Sequence, residues 1–412
     1  MRLGDVGNPD ALPRGKPLDG IRVLALEQMQ ALPYATQLLA RLGADVIKVE
    51  ALTGDVGRSA QPSMGDPDGR RIGATFVRNN LNKRSICVNL KDPRGHALIL
   101  DLAARVDVFA ENFKGGAIAR LGLGYEDIAA VNPRCIYLSV SGFGNAVPSP
   151  YAEWPALASV VEAMSGIYDL KQRPGEPPMV APVGALGDLS AALFATIGVL
   201  AALRDRDRTG EGQAVDIAMF DTTVAMTDIV SNFWSMGLRG GEVGPLILHG
   251  FRARDGWFIM QVGREEHFAR LAVFVGHPEW TSDPRLASRQ GWVDHLEDTI
   301  RPAVDAWAGA LTKLEACGAL AAAGIPAGPC YTGEELVHDP HIAARDMLVE
   351  IPRVDGGTQP VLTPGNPVLL SKVARGPETR LPWLGEHTDE VLGDLGFDTD
   401  QLAELRRDGV IG

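Results

Sequence analysis

Short runs of β-branched and aliphatic residues alternate, over the first 140 positions, with stretches whose apolar residues recur at helical spacing. Residues 21–27 (IRVLALE) form the first run; a helix-like stretch follows at 34–42, and residues 44–50 (ADVIKVE) form the second run. The chain therefore opens as a βαβ unit. Residues 85–90 read as a strand, 93–104 as a helix, and 106–113 and 135–140 as further strands. Alternation of this kind predicts a parallel sheet covered by helices on both faces. Such sheets take ligands at the carboxyl ends of their strands, so the informative residues are those that follow each strand.

Beyond this region, residues 189–203 read as a strongly apolar core helix, ended by the Arg/Asp-rich turn 204–212. The composition turns loop-like at 232–244. Residues 251–348 then mix a hairpin around 256–262 with helices, which marks a second, smaller domain. Residues 349–370 look extended, with turn signals at Asp355, Gly356, Gly357, Pro364 and Gly365, and a last helix is expected near 388–395. There is no internal repeat.

With 412 residues, 45% of them hydrophobic and 22% charged, the chain has the composition of a globular protein of two or three lobes. Its 39 Lys+Arg against 52 Asp+Glu give a net charge of −13, which repels phosphate polymers and anionic lipid surfaces. No nucleic-acid partner is expected on that ground, whereas a small anion held by a few gathered cations is compatible with it. Cys87, Cys135, Cys317 and Cys330 stand far apart without a CxxC spacing, so a reducing cytoplasm is expected. Residues 1–16 lack an apolar signal-peptide core and read as a flexible leader. The most apolar stretch, 191–203, is too short to cross a bilayer, so no membrane partner is expected.

After the first strand stand Gln28, Met29, Gln30 and Ala31 rather than GxGxxG, which disfavours a dinucleotide-binding dehydrogenase. The sharpest local feature is GALGD at 184–188, with Asp188 set after small residues at the mouth of an apolar helix. Small neighbours give a bulky ligand access to the carboxylate, and the helix dipole favours its ionised form, as a nucleophile requires. The same spacing fits a helix N-cap. Lys48, Lys83, Arg84, Lys91, Lys114 and Arg120 fall at or near strand ends, as phosphate ligands or as a solvated face. No HExxH or GxSxG occurs, and His338 and His341 are interrupted by Pro340, so neither a metal site nor a serine hydrolase is expected. GEHT at 385–388 reads as the start of the last helix, with Thr388 as cap.

Taken together and in order, eleven segments resemble the class III CoA-transferase family, which also contains acyl-CoA racemases. They are PLDGIRVLALE (17–27), LGADVIKVE (42–50), NKRSICVNLK (82–91), ENFKGGAIARLGLGYEDI (111–128), SGFG (141–144), EAMSG (162–166), GALGD (184–188), RTGEGQAVDIAMFD (208–221), GIPAGPC (324–330), DPHIAARDML (339–348) and LGEHTDEVL (384–392). The resemblance implies an α/β protein with a discontinuous Rossmann-like large domain (17–228 and 349–412) and a small α/β domain with linkers (229–348). It also implies an interlocked homodimer. Asp188 would be the nucleophile, forming an acyl-aspartyl anhydride and then an aspartyl-CoA thioester, with backbone N–H groups near Gln30 stabilising the oxyanion. CoA or acyl-CoA, as substrate rather than tightly bound cofactor, would be held by Gln30, Ala31, Val88, Asn89, Leu90, Lys91, Asn112, Phe113, Lys114 and Arg120.

Three departures from the family pattern bear on function. Ala51 stands where some members carry an Arg for CoA, with Arg58 nearby as a substitute. Leu157 stands where racemases place a His, which removes one of the two bases that α-proton exchange needs. HGFRARDG at 249–256 replaces the glycine-rich loop of formyl-CoA transferases, so formyl-CoA and oxalate are not the expected substrates. The expected function is therefore transfer of CoA from an acyl-CoA to a small carboxylic acid. The alternatives are a racemase of the same fold and a CoA-binding subunit completed by a partner chain.

Overall fold

The computed structural model describes residues 1–168, 176–178, 180, 184–237 and 244–412. The chain divides into two compact units, Met1–Trp234 with Pro340–Gly412, and Ser235–Asp339.

In the first unit, Arg22–Leu26 (β1), Asp45–Glu50 (β2), Lys83–Cys87 (β3), Val108–Glu111 (β4), Ile136–Ser141 (β5) and Ala214–Ala218 (β6) form one parallel sheet in the order β3-β2-β1-β4-β5-β6. Alternate strand residues feed two cores. Val23, Ala25, Val108, Ala110 and Leu138 pack beneath the helices Ala31–Arg41 (α1) and Leu186–Thr209 (α2). Leu24, Leu26, Phe109 and Tyr137 face Pro93–Ala103, Tyr125–Val131 and the two carboxyl-terminal helices. The period of two along each strand thus buries both faces, as a sheet with helices on either side requires.

Several elements depart from the sequence expectation. β6 lies inside the 208–221 segment and was not expected as a strand; its partly buried positions make its apolar signal short. α1 starts at Ala31, because Pro33 fits a first turn whose N–H groups have no intrahelical acceptor in any case. α2 runs 24 residues, well past 203: Arg206 is buried against Asp107 at 2.9 Å, and Gly210 (φ 84°) ends the helix in the left-handed region. Among the described residues α2 is the one helix long and apolar enough to cross a membrane, but its Ala191, Ala192, Ala195 and Val199 are fully buried in the first core. His387, not Thr388, occupies the cap of Thr388–Gly393, and a further helix, Thr399–Arg407, follows. Residues 1–16 are not a loose leader: Gly4 and Gly7 donate backbone hydrogen bonds to Glu378 and Arg375, and Pro9–Arg14 is a 3-10 helix.

The second unit packs a three-stranded antiparallel sheet (Ile247–Ala253, Gly256–Val262, Ala327–Pro329) against helices around Phe251, Phe258, Trp280 and Trp292. Of the loop expected at 232–244, residues up to Ser235 complete a helix, and 238–243 lie outside the described residues.

Candidate active site at the carboxyl edge of the sheet

Chain connections run outward in opposite directions from β1 and β4, which makes the crevice beyond their carboxyl ends the topological switch point. The two loops there are stapled together. The Gln28 N–H donates to Asn112 Oδ1 at 3.0 Å, and Asn112 Nδ2 donates to the Gln28 carbonyl at 2.9 Å. Phe113 is held by its N–H, which donates to Glu111 at 2.8 Å; burial pushes that carboxyl up to about 7.

Two cavities open along this edge and share Gln28 and Phe113. One, of about 500 Å³, is lined by Gln28–Ala31, Asn112–Gly115, Val140–Gly144, residues 154–157, Met219 and Asp188. The other, of about 440 Å³, is lined by the ends of β1 and β2, residues 51–55, and Val88–Lys91. Of the predicted binding residues, Gln30, Ala31, Asn112, Phe113 and Lys114 therefore meet Asp188 in one cavity, and Val88, Asn89, Leu90 and Lys91 line the next. Arg120 is exposed on Ala117–Arg120 and lines neither.

Asp188 is the third residue of α2, and the cap position belongs to Ala185, so the N-cap reading does not hold. The acceptor that an N-cap would supply comes from a neighbouring helix instead. Glu162, buried on Ala158–Met164, accepts the Gly187 N–H at 3.0 Å, while its other oxygen takes the Tyr168 hydroxyl at 2.5 Å. Asp188 itself makes no hydrogen bond to any described residue. Burial, and then the charge of Glu162, push its carboxyl up to about 6, with Arg78 pulling the other way. Glu162 and Arg78 carried no local spacing signal, since they reach Asp188 from other helices.

Gln30, the cap residue of α1, and Ala31 line the same cavity as Asp188. Gln30 Nε2 is buried and, among the described residues, has no hydrogen-bond partner. Met29 just before it has φ 64°, outside the usual range for a side-chain-bearing residue. Its N–H donates to Asp55 at 3.0 Å, and Asp55 also accepts from Gly57 and from Lys48 Nζ at 2.8 Å.

That anchoring corrects the expectation for several cations. Lys48 and Lys83 are fully buried: Lys48 pairs with Asp55 and Glu27, and Lys83 donates to Glu27 at 2.6 Å. Arg84 lies at the other end of the sheet against Asp45 and Glu390. Arg58 does not replace an Arg at Ala51, because its guanidinium is engaged by Glu50, the Pro382 carbonyl and the Phe76 ring. Leu157 lines the Asp188 cavity, and no His lines it among the described residues. Nor do the described residues hold any His/Cys/Asp/Glu group able to take a metal.

Comparison with known proteins places the chain in a family. The family described as CoA-transferase family III matches residues 18–388. A Chloroflexus aurantiacus protein named succinyl-CoA–D-citramalate CoA-transferase is 35% identical, over 96% of this chain and 98% of its own. A Streptomyces avermitilis protein named formyl-CoA:oxalate CoA-transferase is 34% identical, over 96% of this chain and all of its own. The crystal structure of a CAIB/BAIF family protein from Brucella suis superposes with a TM-score of 0.80 at 32% identity, covering 92% of this chain and 100% of that one. The chain belongs to CoA-transferase family III, enzymes that move CoA between an acyl-CoA and a carboxylate.

Proposed function

We propose that this CoA-transferase works through Asp188 as a covalent nucleophile. The observation that carries the reading is the presence, in one cavity, of a desolvated carboxylate that no described residue hydrogen-bonds, of Gln30, whose Nε2 has no partner among the described residues, and of the N-terminus of α1. The Asp188 carboxylate attacks the thioester carbonyl, the C–S bond breaks, and CoA leaves as thiolate from an acyl-aspartyl anhydride. The thiolate then attacks the aspartyl carbonyl, which releases the donor acid and leaves an aspartyl-CoA thioester. The acceptor carboxylate displaces thiolate to give a second anhydride, and thiolate attack on the acceptor carbonyl returns Asp188 and the new thioester. One thioester is exchanged for another, so no ATP is consumed. Gln30 and the first N–H groups of α1 are suited to stabilise the oxyanion of each attack. The second cavity, along Val88–Lys91, suits the nucleotide end of CoA.

Racemisation is the weaker reading, because Leu157 cannot supply the second base. An interlocked homodimer is the assembly that the resemblance implies. In support, α2 leaves Leu193 and Ile197 exposed, 44% and 60%, one turn apart on a single stripe.

The test is to mix the protein with acyl-CoA donors and carboxylic acids and to detect new thioesters by mass spectrometry, beside Asp188→Asn. A thioester formed without ATP, and absent with the variant, is expected. Undiminished transfer by Asp188→Asn would remove the nucleophile assignment.

A further inference from the structure

Relatives of nearly equal identity are named for different acids, many of them dicarboxylic, so family membership does not choose the acyl group. The wall around Asp188 does bear on that choice. Resting on Asp188 as the reacting carboxylate, we propose that this site is built for apolar monocarboxylic acyl groups rather than for dicarboxylates.

The cavity beside Asp188 is faced by Val140, Phe143, Trp154, Leu157 and Met219. Tyr151 links two of these into one aromatic surface, its ring 5.5 Å from Phe143 and 4.8 Å from Trp154. Trp154 and Leu157 are 51% and 69% exposed where they border the cavity, so a hydrocarbon chain would cover apolar surface that is otherwise wet. The second carboxylate of a dicarboxylate would need a cation or several donors at that wall, since an unpaired charge moved out of water is strongly unfavourable. Among the described residues Lys114 is the one cation lining the cavity, and it is paired with Glu153 at 3.0 Å. The Asn112 carboxamide is engaged by the Gln28 backbone.

Exchange between an acyl-CoA and its own isotopically labelled acid tests this without knowledge of the natural acceptor. Butyrate, isovalerate and hexanoate should exchange into their thioesters with kcat/KM roughly tenfold or more above that for succinate into succinyl-CoA. Leu157→Arg, which places a cation in the wall, should shift the ratio toward succinate by roughly tenfold. Calorimetry with Asp188→Asn should show the same order of acyl-CoA affinities without turnover. Preference for succinyl-CoA by the wild type, lost in Asp188→Asn, would overturn the apolar site while leaving the nucleophile in place. Exchange that persists in Asp188→Asn, or is absent with every donor, would remove the nucleophile and the inference with it.

Discussion

Asp188 is a carboxylate kept away from hydrogen-bond partners at a helix start, where the dipole favours the anion and burial opposes it. Burial and Glu162 prevail, and Arg78 only moderates them. A carboxyl raised to about 6 is still mostly ionised at neutral pH, yet is more basic and hence more nucleophilic than an ordinary Asp. The kcat/KM for transfer is therefore expected to rise with pH through about 6 and then level off. Glu162→Gln keeps an acceptor for the Gly187 N–H but removes the charge beside Asp188. Its acidic limb should move to lower pH, with the plateau reduced, in the pH profile; an unmoved limb would show that Glu162 only caps α2. The raised carboxyl also has a stability sign. The native state holds its proton more tightly than the unfolded chain, so Asp188 costs stability that grows as pH rises from about 4 through about 6. Removing it should leave unfolding midpoints at pH 7 unchanged or higher, by on the order of 1 kcal/mol, as urea titration of Asp188→Asn would show.

At the scale of elements, the reactive edge depends on a buried charge network beneath it. Glu27 just after β1, Lys48 within β2, Asp55 beyond β2 and Lys83 at the start of β3 make up this network, and burial lowers the Lys83 ammonium to about 8 despite the Glu27 contact. Burial also opposes charge on Lys48, but Glu27 and Asp55 outweigh it and raise its pKa. Asp55 in turn fixes the Met29 turn that presents Gln30. Lys48→Met leaves two buried carboxylates short of a partner, so a loss of about 3–5 kcal/mol in denaturant unfolding is expected. A stability within 1 kcal/mol of wild type would show that water takes over the role of the ammonium.

For the whole molecule, the net charge of −13 keeps polyanions away. The exposed apolar stripe on α2 points to a second copy as its cover. Light scattering should give twice 44.0 kDa, and Ile197→Asp should lower that mass or the thermal midpoint. A single-chain mass for the wild type would exclude the dimer.

The strands β1 to β5 were legible because their apolar runs are short, separated by helical periods and bounded by polar turns. The Asp188 carboxylate was legible as a local pattern, and the ordered segments marked the family. Sequence spacing left Asp188 open between helix cap and nucleophile; the fold removes the cap reading by placing Ala185 at that position and bringing Glu162 to the helix start. Nor did it separate Lys48 and Lys83 from Lys91 and Lys114, since a strand-end lysine reads alike whether it meets a buried Glu or a cavity. Which cations are spent on the scaffold, and which carboxylates lie near each other, depend on contacts between residues tens to hundreds of positions apart. Local periodicity determines elements, whereas burial and charge pairing arise only once those elements are packed.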